Sequence, residues 1–245
     1  GDTPTAANSL PQMPDALVRW HQRGSNQAGI RRVMGVERLQ LQYSWYCDVL
    51  PFVGQQKLHD RFDFSRPWAD PKNVRLTTEV VPEFQNPLDP RKAWQGYPFN
   101  GLALTHFVGV SGVEDKRNVI AGKLPRSDDR AGVFGYDTIA RPEEITDGQS
   151  NTLMMIGSGE LASPWVQGGG ATVRGAREPY FDSLTGFGTT GSPQPGSMAV
   201  MADGSVKFIS ADIDPTVFRA MCTIHGGESV DLPPQVRPAN WRAGQ

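Results

Sequence analysis

The sequence contains little cysteine and little histidine. Its 245 residues include two cysteines and four histidines. Cys47 and Cys222 are far apart and form no C-x-x-C pattern, which excludes zinc ribbons, thioredoxin-like redox chemistry and dense disulfide scaffolds. Sequence separation does not show whether their alpha carbons approach closely, so one long-range disulfide and two buried thiols both remain open. The histidines have neither paired i, i+4 spacing nor an E-x-x-H pattern, so zinc and di-iron sites lack their usual ligands.

The sequence also lacks an excess of one charge and any long hydrophobic run. It has 24 Lys and Arg against 26 Asp and Glu, for a formal net charge of −2. Without a basic excess, nucleic acid is not an expected partner. No window approaches the ~20 apolar residues that cross a bilayer, so no membrane span is predicted in the given residues.

Glycine and proline, by contrast, are abundant. The 27 Gly and 20 Pro argue against a helix bundle, while a hydrophobic fraction of 38% argues against disorder. We expect an α+β fold, in which an antiparallel β-sheet packs on one or two helices under long Pro/Gly-rich loops. Residues 1–40 are interpreted as an N-terminal arm or linker, 41–235 as the globular domain and 236–245 as a C-terminal tail.

Several segments carry local structure signals. A helix is favoured for Tyr46–Leu58, and Thr105–Val110 has the character of a short strand. The continuous apolar run Thr152–Ile156 has the length of a buried strand. Asp214 is a helix-capping residue and Pro215 suits the first helical position, so a helix is predicted to begin there.

The clearest local signal is a β-hairpin around Asp203–Gly204. This pair is typical of two-residue type I′ turns, in which both positions take positive φ. Pairing outward from the turn sets Met201 opposite Val206 and Ala199 opposite Phe208. These four side chains would form one apolar face, directed to the core.

The same turns contain candidate metal ligands. Asp147, Asn151 and Asp203 are oxygen donors of the kind that bind Ca²⁺. Each equally well closes a turn by hydrogen bonding to its own backbone. The structural interpretation is favoured, with Asp147–Gly148 and Asp203–Gly204 as tight turns.

Three tryptophans are candidate ligand-binding residues. Trp68, Trp94 and Trp165 lie near Gly or Pro, as aromatic residues that line sugar-binding grooves often do. In a proline-rich chain such residues more commonly pack on the core under long loops. The sequence leaves both alternatives open.

No catalytic motif is complete. The segment Gly109–Val113 has the serine of a nucleophile elbow but lacks its second glycine. Gly157–Ala162 fits G-x-G-x-x-A, yet Ser163 and Pro164 follow where a dinucleotide site needs a helix. We therefore predict no catalytic residue and no cofactor.

Three stretches together resemble a known family. Ser44–Trp45 and Leu50–Leu58 are similar to its serine-tryptophan, leucine-proline and paired-glutamine segment, with Trp68 and Asn73 continuing the match. Ile145–Thr152 resembles its most characteristic motif, and Ala202–Ile209 with Gly226–Glu228 resembles its C-terminal signature. Three motifs in the right order are far more specific than one. The family is the DUF1559 group, the prepilin-type His-x9-Asp-Gly proteins known chiefly from planctomycete bacteria.

The resemblance implies a pilin-like secreted or surface protein with an α+β head of unknown biochemical role. It implies an extracytoplasmic location, namely periplasmic, cell-surface or secreted. Expected partners are other pilin-like subunits or cell-envelope components, and contact with a membrane only through a segment N-terminal to the given sequence. We expect a non-enzymatic structural or interaction protein. The alternative is an extracytoplasmic protein that binds a carbohydrate or another small solute.

The chain departs from the family pattern at three places. Pro193 stands where the signature histidine is expected, and the family's Cys-Pro-Ser-Asp segment reads Asn86–Asp89. Gly157 occupies the place of an acidic residue, and Glu160 follows later. These departures argue against a role that the family members share through ionisable side chains. They do not argue against a role that the members share through the shape of the scaffold.

Overall fold

The computed structural model describes residues 43–96, 99–114, 120–182 and 186–227. The predicted arm, residues 1–40, and the predicted tail, residues 236–245, lie outside them. The α-helices are α1 Trp45–Val49, α2 Gln56–His59 and α3 Pro215–Met221. The strands are β1 Leu104–Thr105, β2 Phe107–Val113, β3 Leu153–Gly157, β4 Ser163–Pro164, β5 Val173–Ala176, β6 Gly196–Met201 and β7 Val206–Ser210.

The central feature is a five-stranded sheet in the order β5-β2-β3-β6-β7. Its pairs are antiparallel except for β2 with β5, which run parallel. A separate two-stranded sheet pairs β1 with β4. The predicted α+β class is therefore confirmed, and the sheet is mixed because the edge strand β5 runs parallel to its neighbour.

Two hydrophobic clusters make up the core. One contains α3 through Phe218 and Met221, together with Leu153, Ile156 and other sheet residues. The second contains α1, the 3-10 helices and loops of residues 50–103, and Met154 and other residues of the sheet. β3 contributes to both clusters and is buried along its whole length, which confirms the buried strand predicted from its unbroken apolar run.

The predicted helix Tyr46–Leu58 is broken into three pieces. Ser44 caps α1 by accepting a hydrogen bond from the Tyr46 amide. A 3-10 helix follows over Leu50–Val53 and ends at Gly54, whose φ of 79° is left-handed. Only then does α2 begin, so the run of good helix formers does not give one continuous helix.

The hairpin between β6 and β7 exists, but its predicted turn and register are wrong by one residue. Gly204 donates its amide hydrogen to Met201 O at 2.9 Å, and Met201 donates to Ser205 O at 2.8 Å. The loop therefore has three residues, a type I turn followed by a bulge at Gly204 with φ of 85°. Val200 pairs with Val206 and Met198 with Phe208. A shift of one residue moves a strand's side chains to the other face, so Val206 and Phe208 do not share the face of Ala199 and Met201.

Candidate functional site

The turn after the 3-10 helix Pro142–Glu144 is fastened to the segment that follows α3. Thr146 and Asp147 both donate their amide hydrogens to Ile224 O, at 2.8 and 3.2 Å. The Asp147 carboxylate in return accepts from Gly226 N at 2.8 Å and from Gly227 N at 3.2 Å. One carboxylate thus satisfies two amides of a segment about 80 residues downstream, and charged acceptors of this kind make the stronger hydrogen bonds.

The same turn touches the hairpin loop. Asp203 donates its amide hydrogen to Gln149 O at 3.2 Å, and Ala202 donates to Thr152 O at 2.9 Å. Lys207 Nζ donates to Ser150 O at 2.7 Å. The structure therefore brings two of the three motif segments into contact through their backbones.

The two glycines of these turns lie in left-handed conformations. Gly148 has φ of 94° and Gly204 has φ of 85°. Residues other than glycine and asparagine seldom adopt such φ values, because the Cβ atom then crowds the backbone. Asp203 Oδ1 accepts from Ser205 N at 2.9 Å, the hydrogen bond of an Asx turn.

The candidate metal ligands point to different partners. Asp147 directs its two oxygens to Gly226 and Gly227, and Asp203 directs Oδ1 to the amide and hydroxyl of Ser205. Asn151 uses its side-chain amide to donate to Asp147 O at 3.4 Å. Within the described residues, no group of three or more His, Cys, Asp or Glu is arranged to hold a metal ion. The oxygens act as acceptors for protein donors.

The tryptophan prediction is corrected for two of its three residues. Trp165 is 0% exposed and its indole donates to Glu79 O at 3.1 Å. Trp68 is 1% exposed and packs edge-on against Phe99. Neither can reach a solute, because the aromatic rings close the core under the proline-rich loops. Trp94 alone of the three is exposed, at 38%.

The disulfide alternative is also corrected. Cys47 and Cys222 are both buried, reduced thiols. They belong to two different clusters of the core, Cys47 with α1 and Cys222 with α3. Burial raises the pKa of the Cys222 thiol far above its ordinary value, so that thiol is not poised to react.

Sequence reasoning missed a buried histidine-aspartate pair. His106 Nε2 lies 3.4 Å from Asp89 Oδ2, and the two side chains are 3% and 0% exposed. The other ring nitrogen, Nδ1, accepts the amide hydrogen of Asn86 at 3.0 Å. Burial lowers the pKa of His106 to about 4, against the opposing effect of the Asp89 charge, so the ring is neutral at neutral pH.

Arg91 links this pair to the surface. It donates to Asp89 Oδ2 from Nη2 at 2.6 Å and to Asp89 Oδ1 from Nε at 3.0 Å. Burial raises the pKa of Asp89, but hydrogen bonds from Arg91 outweigh it and hold that pKa below its usual range. Arg91 Nη1 also lies 3.3 Å from Glu160 Oε2. Two positions that depart from the family pattern, Asn86–Asp89 and Glu160, therefore meet in one cluster.

Burial of His106 and Asp89 limits the reactions that this cluster could catalyse. A histidine with a carboxylate partner supplies two of the three members of a nucleophilic triad, but a triad needs the second ring nitrogen for its nucleophile. Here Nδ1 accepts from a backbone amide, and the side chains of His106 and Asp89 are both buried. The signal that points to this site is the family's Cys-Pro-Ser-Asp position, since no spacing rule connects Asp89 to His106.

Comparison with known proteins identifies a family. A family model named SBP_bac_10, described as a protein of unknown function (DUF1559), matches residues 6–179. The match begins before the three motif segments and ends before the hairpin. No curated protein and no solved structure was found to match the chain. Across the part of the chain that the structure describes, no helix is both long enough and apolar enough to span a bilayer.

Proposed function

Because the chain belongs to the DUF1559 family, whose function is unknown, we propose that it is a non-enzymatic structural or interaction protein with a pilin-like head. The observation that carries this proposal is the use made of the motif aspartates. Asp147 holds the backbone of the segment after α3, and Asp203 closes the hairpin loop. In both motifs the ionisable group serves the shape of the protein.

The buried histidine supports the same proposal. A general base must reach a substrate proton within hydrogen-bond distance. His106 is 4% exposed, and its pKa of about 4 leaves it a weak base. The Asp89–Arg91–His106 cluster instead links the 86–91 loop to His106, between β1 and β2, and to the turn that contains Glu160. This is the role of a structural polar network, in which every lost partner is costly.

Binding of a carbohydrate or another solute is not favoured by the aromatic residues. A binding groove needs several aromatic faces that reach the same ligand. Trp68 and Trp165 are core residues, which leaves Trp94 as the one candidate among the three. A single exposed indole is common on protein surfaces and does not by itself define a site.

The family resemblance supplies the cellular part of the proposal. The protein acts outside the cytoplasm, in the periplasm, at the cell surface or after secretion. Its partners are other pilin-like subunits or components of the cell envelope. In this role the head presents a fixed surface, and the motif turns maintain it.

Accessibility in intact cells tests the proposal. The full-length protein, tagged in its native host, is exposed to external protease and to antibody before and after opening of the envelope, with a cytoplasmic protein as the control. We expect cleavage and labelling without lysis of the cytoplasmic membrane. Protection until that membrane is lysed would contradict the proposal.

A further inference from the structure

β7 is an outermost strand of the five-stranded sheet, and no other strand of the described residues pairs with its outer edge. Met201 N bonds Ser205 O and Ala211 N bonds Pro195 O, which fixes the alternation of bonded pairs between β6 and β7. Lys207 and Ile209 therefore direct their backbone groups to β6, and Val206 and Phe208 direct theirs away from the sheet. Among the described residues, the outward groups of Val206 and Phe208 make no other backbone hydrogen bond, whereas the outward carbonyl of Ser210 accepts from Ile213 N at 3.2 Å.

The edge lacks the features that usually prevent pairing with another strand. Proteins protect such edges with proline, bulges or outward charges, above all lysine. β7 has neither proline nor a bulge after Val206. Its one charged residue, Lys207, is turned back on Ser150 O at 2.7 Å. The protective charge is thus held over the neighbouring loop and does not extend past the edge.

The side chains beside this edge are apolar and incompletely covered. Val206 is 45% exposed, and Phe208 is half-buried on the same face of the sheet. Their cross-strand partners Val200 and Met198 continue that face inward. An added strand would extend the sheet and cover both side chains at once.

We propose that β7 pairs antiparallel with β7 of a second copy of this chain, centred on Phe208. A two-fold axis at Phe208 sets each Val206 opposite Ser210 of the second copy and each Lys207 opposite Ile209 of the second copy. The outward amides and carbonyls of the two Phe208 residues then meet in register, and Val206 pairs with Ser210 of the second copy at each end, where the Ser210 carbonyl also accepts from Ile213 N. No like charges face each other. A centre at Lys207 would place two ammonium groups face to face, so charge selects Phe208.

This inference rests on the proposed interaction role and names the partner within it. In the dimer, the five-stranded sheets of the two copies join into one continuous sheet. The two Phe208 residues form a cross-strand aromatic pair at its centre. Aromatic cross-strand pairs contribute favourably to such pairing. The interface is isologous, so it closes as a dimer and does not propagate into a fibre through this edge.

Cysteine cross-linking tests the register. In the proposed dimer Val206 and Ser210 of the second copy form a bonded pair, with alpha carbons about 5.5 Å apart, within the range for a disulfide. The two Val206 residues lie about four residues apart along the strands, about 13 Å, too far to bridge. We expect a mixture of Val206→Cys and Ser210→Cys proteins to form a disulfide dimer under mild oxidation, and neither variant alone to do so. Phe208→Cys alone should cross-link.

A charge variant tests the interface without the cross-link. Val206→Lys sets two added charges at the paired edges, and Val80→Lys is the matched control because Val80 is also 45% exposed. We expect sedimentation to show a dimer for the wild type and Val80→Lys and a monomer for Val206→Lys, while circular dichroism shows that both variants are folded.

A monomeric wild type, or cross-linking of Val206→Cys alone in equal yield, would overturn the inference. These results are independent of the cell-accessibility experiment. If the protein is at the cell surface but monomeric, the strand pairing is wrong and the proposed function stands. If the protein is a dimer confined to the cytoplasm, the proposed function is wrong and the strand pairing stands.

Discussion

Titration of His106 gives the most quantitative prediction of the structure. His106 Nδ1 accepts the Asn86 amide hydrogen at 3.0 Å. An imidazolium carries hydrogen on both nitrogens and cannot accept, so protonation breaks this bond in the buried cluster. Burial is the main cause of the lowered pKa, while Lys92 and Arg91 add to it and Asp89 opposes it.

The sign and size of the effect follow from the two states. The unfolded chain binds the proton near pH 6.5, and the folded protein binds it only near pH 4. The folded state is therefore at full stability above pH 6.5 and loses stability as the pH falls from there to about 4. A shift of this size corresponds to about 3 kcal/mol of unfolding free energy.

His106→Asn isolates this contribution. The asparagine Oδ1 replaces Nδ1 as an acceptor and does not titrate, although the smaller side chain lowers stability by an amount that does not depend on pH. We expect the difference in unfolding free energy between wild type and variant, measured by urea denaturation from pH 7 to pH 4, to shrink by about 3 kcal/mol.

His59→Asn is the matched control. The His59 side chain is 23% exposed beside Asp60 on the surface. This variant makes the same substitution outside the buried cluster. An unfolding free energy of His106→Asn that runs parallel to that of the wild type would refute the reasoning, because His106 would then titrate alike in the folded and unfolded chains.

Two further predictions concern the tryptophans and calcium. Trp165→Phe should lower the unfolding free energy by more than Trp68→Phe, because the Trp165 indole donates to Glu79 O, whereas Trp68 Nε1 has no partner within the described part of the chain. Equal losses by urea denaturation would contradict this. Added Ca²⁺ should leave the melting temperature unchanged, because Asp147 and Asp203 already accept protein hydrogen bonds, and a saturable rise would reveal a cation site.

Local signals predicted the elements whose structure depends on neighbours in sequence. The apolar run of β3 is a buried central strand, and Asp214 caps α3 by accepting from the amides of Thr216 and Val217. The hairpin register failed because an Asp-Gly pair suits both a two-residue and a three-residue loop. The hydrogen bond from Met201 to Ser205 decides between them.

The long-range contacts of the candidate site could not be predicted from the sequence. Nothing in the spacing shows that Asp147 bonds Gly226 and Gly227, or that His106 lies beside Asp89. Such contacts depend on how loops pass over one another, and several chain paths satisfy the same local preferences. Composition likewise could not separate buried tryptophans from exposed ones, because both kinds occur in proline-rich loops.

The central claim is that the motif aspartates hold the backbone, and Asp147→Asn tests it most directly. The amide can accept with only one atom, so one of the Gly226 and Gly227 amides loses its partner. We expect urea denaturation to give an unfolding free energy about 1–3 kcal/mol lower than that of Asp129→Asn, a control at an exposed carboxylate. Equal stability of the two variants would contradict the account.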